Sequence, residues 1–236
     1  MIDTVLFDLD GTLLPFRQDD FVKAYFSEIG KVFAKLGFDP QRAVAAVWAG
    51  TKAMVANDGA MTNSGRFWET FAKALEVPQG RLKEVEDACD AFYSNEFDRV
   101  RAVIAPTEIP KRMVRGLAKR GYTLVLATNP LFPRCAVQTR LNWIGLDAGD
   151  FSLVTDYSNS FYCKPNPKYY EEIFKKTDKI PGQCLMAGNN AKEDMCAGTL
   201  GAATFLVTDY PEEPDGGYPA DRQGTLAELE EYLSSL

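Results

Sequence analysis

Two aspartates, Asp8 and Asp10, lie at the end of the largely apolar run Ile2–Leu9. Two carboxylates placed two residues apart at the end of a strand can flank a bound phosphorus atom and share a hard cation. One can attack phosphorus while the other donates and accepts a proton, and Gly11 permits a sharp turn after them. The alternative is a strand that ends in an Asx-type turn without any chemistry. This short segment alone leaves both interpretations open.

Further polar side chains follow later apolar runs of the chain. Thr128 and Asn129 follow one run, Asn189 follows another, and Lys164 precedes a predicted helix. In an open parallel sheet, ligands bind beyond the carboxyl ends of the strands. We therefore expect a hydroxyl, two amides and an ammonium to lie on the same rim of the sheet as the two carboxylates.

The runs that would position these side chains alternate with helical patterns. Continuous apolar runs are typical of strands that are buried on both faces of a parallel sheet. The predicted strands are Ile2–Leu9, Tyr122–Ala127, Phe151–Val154, Cys184–Ala187 and Thr204–Val207. The predicted helices of this part are Ile109–Arg120, Arg134–Ile144, Lys168–Thr177, Lys192–Leu200 and Leu226–Leu233. The alternation predicts a Rossmann-like α/β fold, with a parallel sheet between layers of helices. The segment Tyr210–Pro219 is predicted as a surface loop.

Residues 16–101 have a different pattern, without a convincing strand. Four helices are predicted there: Phe21–Leu36, Ala43–Ala56, Phe67–Leu75 and Leu82–Phe97. We interpret their aromatic residues as the core of a helix bundle rather than as a cofactor site. The expected domains are therefore an α/β core, residues 1–15 and 102–236, and an all-helical cap, residues 16–101, inserted after the first strand.

The composition excludes several classes of chemistry. The 236 residues contain no histidine, which excludes Ser-His-Asp and Cys-His hydrolases, His-ligated zinc enzymes and phosphatases with a histidine nucleophile. The net charge is −7 and no basic stripe is visible, so we expect no nucleic-acid partner. The apolar runs are too short to predict a membrane span. The five cysteines form no Cys-x-x-Cys pair, and with no leader pattern at Met1 a cytoplasmic protein with reduced thiols is expected.

Taken together, these residues resemble the motifs of the haloacid dehalogenase-like superfamily. Asp8 and Asp10 match its first motif, Thr128 in Leu-Val-Leu-Ala-Thr-Asn matches the second, and Lys164 in Cys-Lys-Pro matches the third. The segment Gly-Asn-Asn-Ala-Lys-Glu-Asp, residues 188–194, stands where the acidic fourth motif belongs. The resemblance extends over essentially the whole chain, with the four motif positions in the expected order.

The resemblance implies a Mg²⁺-dependent phosphatase. Asp8 would attack phosphorus and form an aspartyl phosphate, and Asp10 would protonate the leaving alcohol and then activate water. Thr128 and the amide of Asn129 would bind a phosphoryl oxygen, and Lys164 would neutralise charge between Asp8 and the phosphate. Mg²⁺ would bind Asp8 and the backbone carbonyl of Asp10.

The fourth motif departs from the family pattern. Asn189 stands where the family usually has Asp after Gly, and an amide oxygen can bind Mg²⁺ but carries no charge. We expect Asn189 and Asp194 to be the remaining metal ligands, with Glu193 as a further candidate. The alternative for Glu193 and Asp194 is compensation of a helix dipole.

The position of the insert, between the first and second motifs, corresponds to that of the family's C1 cap. A mobile lid over the site favours small, diffusible phosphate esters as substrates. The polar loop Asn57–Arg66 lies between two cap helices, and Arg66 or Asn63 are candidates for contact with substrate. The alternative for Arg66 is a solvated residue at the start of a helix.

Two other functions are compatible with the sequence. One is a catalytically weak or inactive member that binds phosphate ligands or a protein partner, which the neutral Asn189 suggests. The other is a phosphomutase. A dehalogenase is disfavoured because Asp10, the acid and base that phosphoryl transfer needs, is present. The sequence predicts neither the physiological substrate nor the oligomeric state.

Overall fold

The computed structural model describes residues 1–212 and 216–236, which contain a parallel sheet flanked by helices. The strands are β1 (Thr4–Phe7), β2 (Thr123–Leu126), β3 (Leu153–Val154), β4 (Cys184–Gly188), β5 (Ala203–Val207) and β6 (Arg222–Gly224). Their order across the sheet is β3-β2-β1-β4-β5-β6, and every neighbouring pair is parallel. The strand β1 therefore lies at the centre, where the strand order reverses direction.

Burial on both faces explains why the central strands are continuously apolar. In β1, Val5 and Phe7 pack into a large core cluster on one face, and Leu6 packs into a second cluster on the other. The strands β2 and β4 alternate in the same way, because successive side chains of a strand point to opposite faces. Val5 is in register with Leu124 on one side and with Leu185 on the other. The ends of β1, β2 and β4 therefore lie at the same edge of the sheet.

The helices agree with the predicted ones to within a few residues. They are α1 (Gln18–Lys35), α2 (Pro40–Val55), α3 (Asn63–Leu75), α4 (Leu82–Asn95), α5 (Ile109–Lys119), α6 (Arg134–Trp143), α7 (Pro167–Thr177) and α8 (Leu226–Ser235). The residues at the start of α7 show why a helix begins there. The side chain of Asn166 accepts a hydrogen bond from the backbone N–H of Lys168 at 3.1 Å, and Pro167 occupies the first turn. The predicted α/β fold with inserted helices is confirmed.

The segment that begins at Lys192 differs from its prediction. No α-helix forms there; a turn leads into a 3-10 helix, Met195–Leu200. The side chain of Asn190 accepts hydrogen bonds from the backbone N–H groups of Lys192 and Glu193. An Asn side chain that binds nearby backbone groups competes with the α-helical pattern, and this accounts for the difference.

One further difference lies near the C-terminal end. The strand β6 is polar and largely exposed at the edge of the sheet, so its sequence contains no apolar run from which a strand would be predicted. The predicted surface loop Tyr210–Pro219 lies partly outside the described residues.

The helices α1 to α4 lie between β1 and β2 in the chain and are rich in packed aromatic residues. Phe33 of α1 packs on Phe71 of α3 with ring centroids 5.6 Å apart, and Tyr25 of α1 packs on Phe92 of α4 at 6.4 Å. Their cluster continues into the side chains of β1 and α6. Among the described residues, the helices are all too short or too polar to traverse a lipid bilayer.

Candidate active site

A buried chain of charges connects the first, third and fourth predicted motifs. Asp8 directly follows β1, and its backbone N–H donates to the carbonyl of Ala187 in β4. Lys164 donates from Nζ to Asp8 Oδ1 at 2.7 Å and to Asp194 Oδ1 at 2.6 Å. Burial disfavours the protonated ammonium, but Asp194 and Asp8 together hold the pKa of Lys164 well above its usual value. Lys164 is therefore a fixed positive charge beside the proposed nucleophile.

Asp194 is held in place by the backbone of the turn. Its Oδ2 accepts a hydrogen bond from the backbone N–H of Asn190 at 3.0 Å. A side chain at position 188 would place its Cβ 2.1 Å from the same oxygen, so only glycine permits this close approach. Burial raises the pKa of Asp194 to about 6, although Lys164 opposes the rise. Asp194 thus shares the charge of Lys164 with Asp8.

Thr128 and Asn129, at the end of β2, lie at the same edge. Thr128 is buried, and its backbone carbonyl accepts hydrogen bonds from Thr155 and from Tyr169. Asn129 donates from Nδ2 to Glu193 Oε2 at 2.9 Å, and its Oδ1 accepts from the backbone N–H of Lys164 at 3.3 Å. The second and third motifs are therefore linked directly.

Asp10 lies just before the turn at Gly11, and its partner is a residue that the sequence did not predict. Gly11 has a φ of +76°, the left-handed conformation that turns the chain after Asp10. The Oδ2 atom of Asp10 accepts a hydrogen bond from Nη1 of Arg140, a fully buried arginine of α6. The guanidinium of Arg140 stacks on the ring of Phe132 at 4.5 Å. Burial raises the pKa of Asp10, and the charge of Arg140 opposes that rise.

Asn189 has partners for both ends of its amide. Its Oδ1 accepts from the hydroxyl of Thr12 at 3.1 Å, and its Nδ2 donates to the carbonyl of Tyr210 at 2.6 Å. The carbonyl partner fixes the orientation of the amide, because a carbonyl accepts only from the NH₂ end. Asn189 therefore joins the end of β4 to the turn after β1.

A cavity of about 130 Å³ brings the predicted residues together. Its lining includes Asp8, Asp10, Thr128, Asn129, Asn189, Asn190, Glu193, Asp194 and Glu212. Lys164 pairs with two of these lining residues, Asp8 and Asp194. Arg66 is not among the lining residues: its guanidinium is 3.2 Å from Asp58 and 3.9 Å from Glu69. The structure thus assembles the motif residues and leaves Arg66 outside the cavity.

Glu212 joins the cavity from the loop after β5, where no sequence pattern indicated a site. Its backbone N–H donates to the carbonyl of Asn189 at 3.0 Å, and its Oε2 accepts from Asn190 Nδ2 at 3.3 Å. Burial raises the pKa of Glu212 and that of Glu193 to about 7, and nearby carboxylates add to both rises. Arg140, by contrast, had a weak signal in the sequence. It is a charged residue among the apolar positions of a predicted helix, beside Leu141.

The donor set of the cavity fits a hard divalent cation. Five carboxylates, those of Asp8, Asp10, Glu193, Asp194 and Glu212, line it, and amide oxygens lie beside them. Oxygen ligands of this kind suit Mg²⁺, and burial together with neighbouring carboxylates raises the pKa of Asp10, Glu193, Asp194 and Glu212. Within residues 1–212 and 216–236, no three acidic or cysteine side chains already converge on one point.

Asn63 connects the cap loop to the segment that carries Lys164. Its side chain is fully buried, accepts from Asn57 Nδ2 at 2.8 Å, and lies 3.3 Å from the carbonyl of Tyr162 and from the sulfur of Cys163. Its backbone N–H donates to Ser160 at 2.9 Å. Asn63 therefore contacts the protein, not the cavity, and holds the loop Asn57–Arg66 against the core.

Several known proteins are similar to this chain over nearly its whole length. In sequence, the chain is 24% identical over 247 residues to ribulose-1,5-bisphosphate 5-phosphatase from Halopiger xanaduensis, covering 100% of this chain and 97% of that protein. In structure, it is similar to a haloacid dehalogenase-like phosphatase from Thermococcus onnurineus, with a TM-score of 0.62, 20% identity and coverage of 98% of each chain. It is also similar to 2-haloacid dehalogenase from Pseudomonas syringae, with a TM-score of 0.64, 19% identity and coverage of 100% of this chain and 99% of that one.

At these identities the solved structures bear on the fold alone. The family model of the haloacid dehalogenase-like hydrolases matches residues 2–199, most of the chain. This match includes each of the four motif positions and confirms the predicted enzyme class. The chain is therefore a member of the haloacid dehalogenase-like hydrolase family.

Proposed function

We propose that this hydrolase is a Mg²⁺-dependent phosphatase that cleaves small phosphate monoesters through a covalent intermediate on Asp8. The observation that carries the proposal is the buried arrangement of Asp8, Lys164 and Asp194, with Asp10, two residues after Asp8, at the same cavity. The name of the Halopiger relative, a sugar bisphosphate phosphatase, supports phosphate esters as the substrate class.

The residues have complementary roles in the two steps. A carboxylate oxygen of Asp8 bonds to phosphorus as the bond to the leaving oxygen breaks, and Asp10 gives its proton to that oxygen. Water then attacks phosphorus, Asp10 takes a proton from it, and the bond to Asp8 breaks. Thr128 and the backbone amide of Asn129 lie at the same cavity, where they can donate hydrogen bonds to phosphoryl oxygens.

Positive charge is essential to the first step. Two unit negative charges 4 Å apart repel by about 4 kcal/mol at an effective dielectric constant of about 20, so an anionic nucleophile needs help to approach a phosphate dianion. Lys164, 2.7 Å from Asp8, supplies one charge. Mg²⁺, when bound, would supply the rest, held by Asp8, Asp10, Asn189 and Asp194, with Glu212 contributing the carboxylate that Asn189 lacks.

The first prediction tests the activity itself. We expect phosphate release from p-nitrophenyl phosphate in the presence of Mg²⁺, and loss of that release when a chelator removes the metal. A catalytically inactive binding protein would release no phosphate under either condition. A phosphomutase would move the phosphoryl group within a sugar phosphate without releasing it. Absence of phosphate release from a broad panel of monoesters would contradict the proposal.

The second prediction concerns Glu212 as a metal-side residue. Replacing Glu212 with glutamine removes one negative charge from the cavity, so Mg²⁺ affinity should fall by about 10-fold to 100-fold, the range for residues that support a metal site. The measurement is Mg²⁺ binding by isothermal titration calorimetry without substrate. Glu231→Gln, an exposed change in α8, is the matched control. Equal affinities for both variants would place Glu212 outside the metal site.

A further inference from the structure

A second, mostly apolar cavity lies next to the phosphoryl site. It has a volume of about 110 Å³, several times the roughly 10–15 Å³ that one water needs. Residues of α1 to α4 form most of its wall, and core residues 131–133 and Tyr157 close it. Gln18, Leu131 and Phe132 line both cavities. An ester bound with its phosphate at Asp8 can therefore extend its alcohol portion into the second cavity.

The lining of this second cavity selects against charge. Its wall is dominated by aromatic and aliphatic side chains, among them Phe21, Phe26, Trp48 and Trp68. The described part of the chain contributes neither lysine nor arginine to the wall, and Asp90, at an exposed position, is the charged residue there. An anion transferred to such a site without a partner loses its hydration uncompensated. A second phosphate or a carboxylate on the substrate is therefore disfavoured.

Two tyrosines supply a polar contact inside the apolar wall. The hydroxyl oxygens of Tyr25 and Tyr93 are 2.7 Å apart, and both residues are buried. Burial raises the pKa of both phenols well above the usual value, so both keep their protons. Their mutual hydrogen bond uses one of the two protons, and among residues 1–212 and 216–236 neither hydroxyl has another partner. One O–H group can therefore donate to a neutral acceptor on a ligand.

We infer that the substrates are phosphate monoesters of neutral, apolar alcohols, in which an aromatic or aliphatic group fills this second cavity. The inference rests on the proposed phosphatase activity and defines its substrate class. It separates this chain from a sugar bisphosphatase, because the described residues of the wall include no lysine or arginine for a second phosphate. Burial of the apolar group would supply the binding energy, at about 25 cal/mol per Å² of apolar surface removed from water.

Three substrates test this class while the type of leaving group stays similar. Benzyl phosphate and glycerol 1-phosphate both release a primary alcohol, and ribulose 1,5-bisphosphate carries a second phosphate. We expect kcat/KM for benzyl phosphate to exceed that for each of the other two by at least about tenfold, the effect of burying roughly two methylene groups. A preference for either polar substrate would overturn the inference and leave the phosphatase activity in place. Release from none of the three while p-nitrophenyl phosphate is cleaved would also overturn the inference. Release from none, p-nitrophenyl phosphate included, would instead contradict the proposed function.

Filling the cavity provides an independent test. Val22 of α1 lines the cavity, whereas Val55 lies exposed at the end of α2. Val22→Trp should lower kcat/KM for benzyl phosphate about tenfold and leave that for glycerol 1-phosphate within about twofold. Val55→Trp, the matched control, should change neither value. Thermal unfolding of both variants checks that the cap still folds. Unchanged turnover of benzyl phosphate by a folded Val22→Trp protein would show that the alcohol binds elsewhere, as would an equal loss for both substrates.

Discussion

Replacement of Asp8 by asparagine is expected to leave a folded protein whose phosphate release is slower by a factor on the order of 10⁴–10⁶, the loss typical of removing a nucleophile. The amide is nearly isosteric with the carboxylate but is not nucleophilic. The fold should tolerate the change because Lys164 keeps its second partner, Asp194, at 2.6 Å. Asp8 raises the pKa of Asp194, so Asp194 should also bind its proton less readily in the variant.

A matched control for this variant lies at the opposite end of the same strand. Asp3 precedes β1 and pairs with Lys179 at 3.0 Å, much as Asp8 pairs with Lys164. Asp3→Asn should retain full activity. Rapid acid quenching of the wild type during turnover, followed by mass spectrometry, should detect phosphate on Asp8. Substantial turnover by a folded Asp8→Asn protein would contradict the covalent mechanism.

The positions of Asp8, Thr128 and Asn189 could be anticipated because each follows a recognisable apolar strand. Once the strands are parallel, neighbours in the sheet must present their carboxyl ends at one edge, so local patterns are sufficient to predict a shared site. Lys164 was predicted from its motif, and the structure accounts for its position through the contacts of Asn129 and Asp194.

Arg140 and Glu212 could not be predicted in the same way. Arg140 meets Asp10 across 130 positions of sequence, and only the packing of α6 against the turn after β1 brings them together. Glu212 reaches the cavity through backbone hydrogen bonds between its loop and the residues after β4. The apolar cavity was also missed, because aromatic residues that pack a helix bundle and those that line a pocket have the same helical spacing.

The pair formed by Arg140 and Asp10 gives the largest expected effect on stability. Arg140 is fully buried, and Asp10 is its hydrogen-bonded partner. In the described residues, Nε and Nη2 of Arg140 and Oδ1 of Asp10 have no partner. Arg140→Met fills similar space without charge and leaves the carboxylate of Asp10, a side chain that is 23% exposed, without its countercharge. We expect the free energy of unfolding at pH 8 to fall by about 3 kcal/mol, the lower end of the loss on breaking a buried ion pair, because the side chain of Asp10 is partly exposed.

The double variant and the pH dependence separate this charge effect from a packing effect. In Arg140→Met, burial still raises the pKa of Asp10, and the attraction that opposed the rise is gone. A folded-state pKa above the unfolded one favours folding below the unfolded value, about 3.9, and this contribution disappears as pH rises through the folded-state pKa. The gap between variant and wild type should therefore shrink as pH falls from 8 to 5, measured by urea unfolding. Adding Asp10→Asn to Arg140→Met should restore most of the lost stability at pH 8, because no buried charge then remains unpaired. Additive losses with no pH dependence would mean that Arg140 stabilises the fold by packing on Phe132 alone.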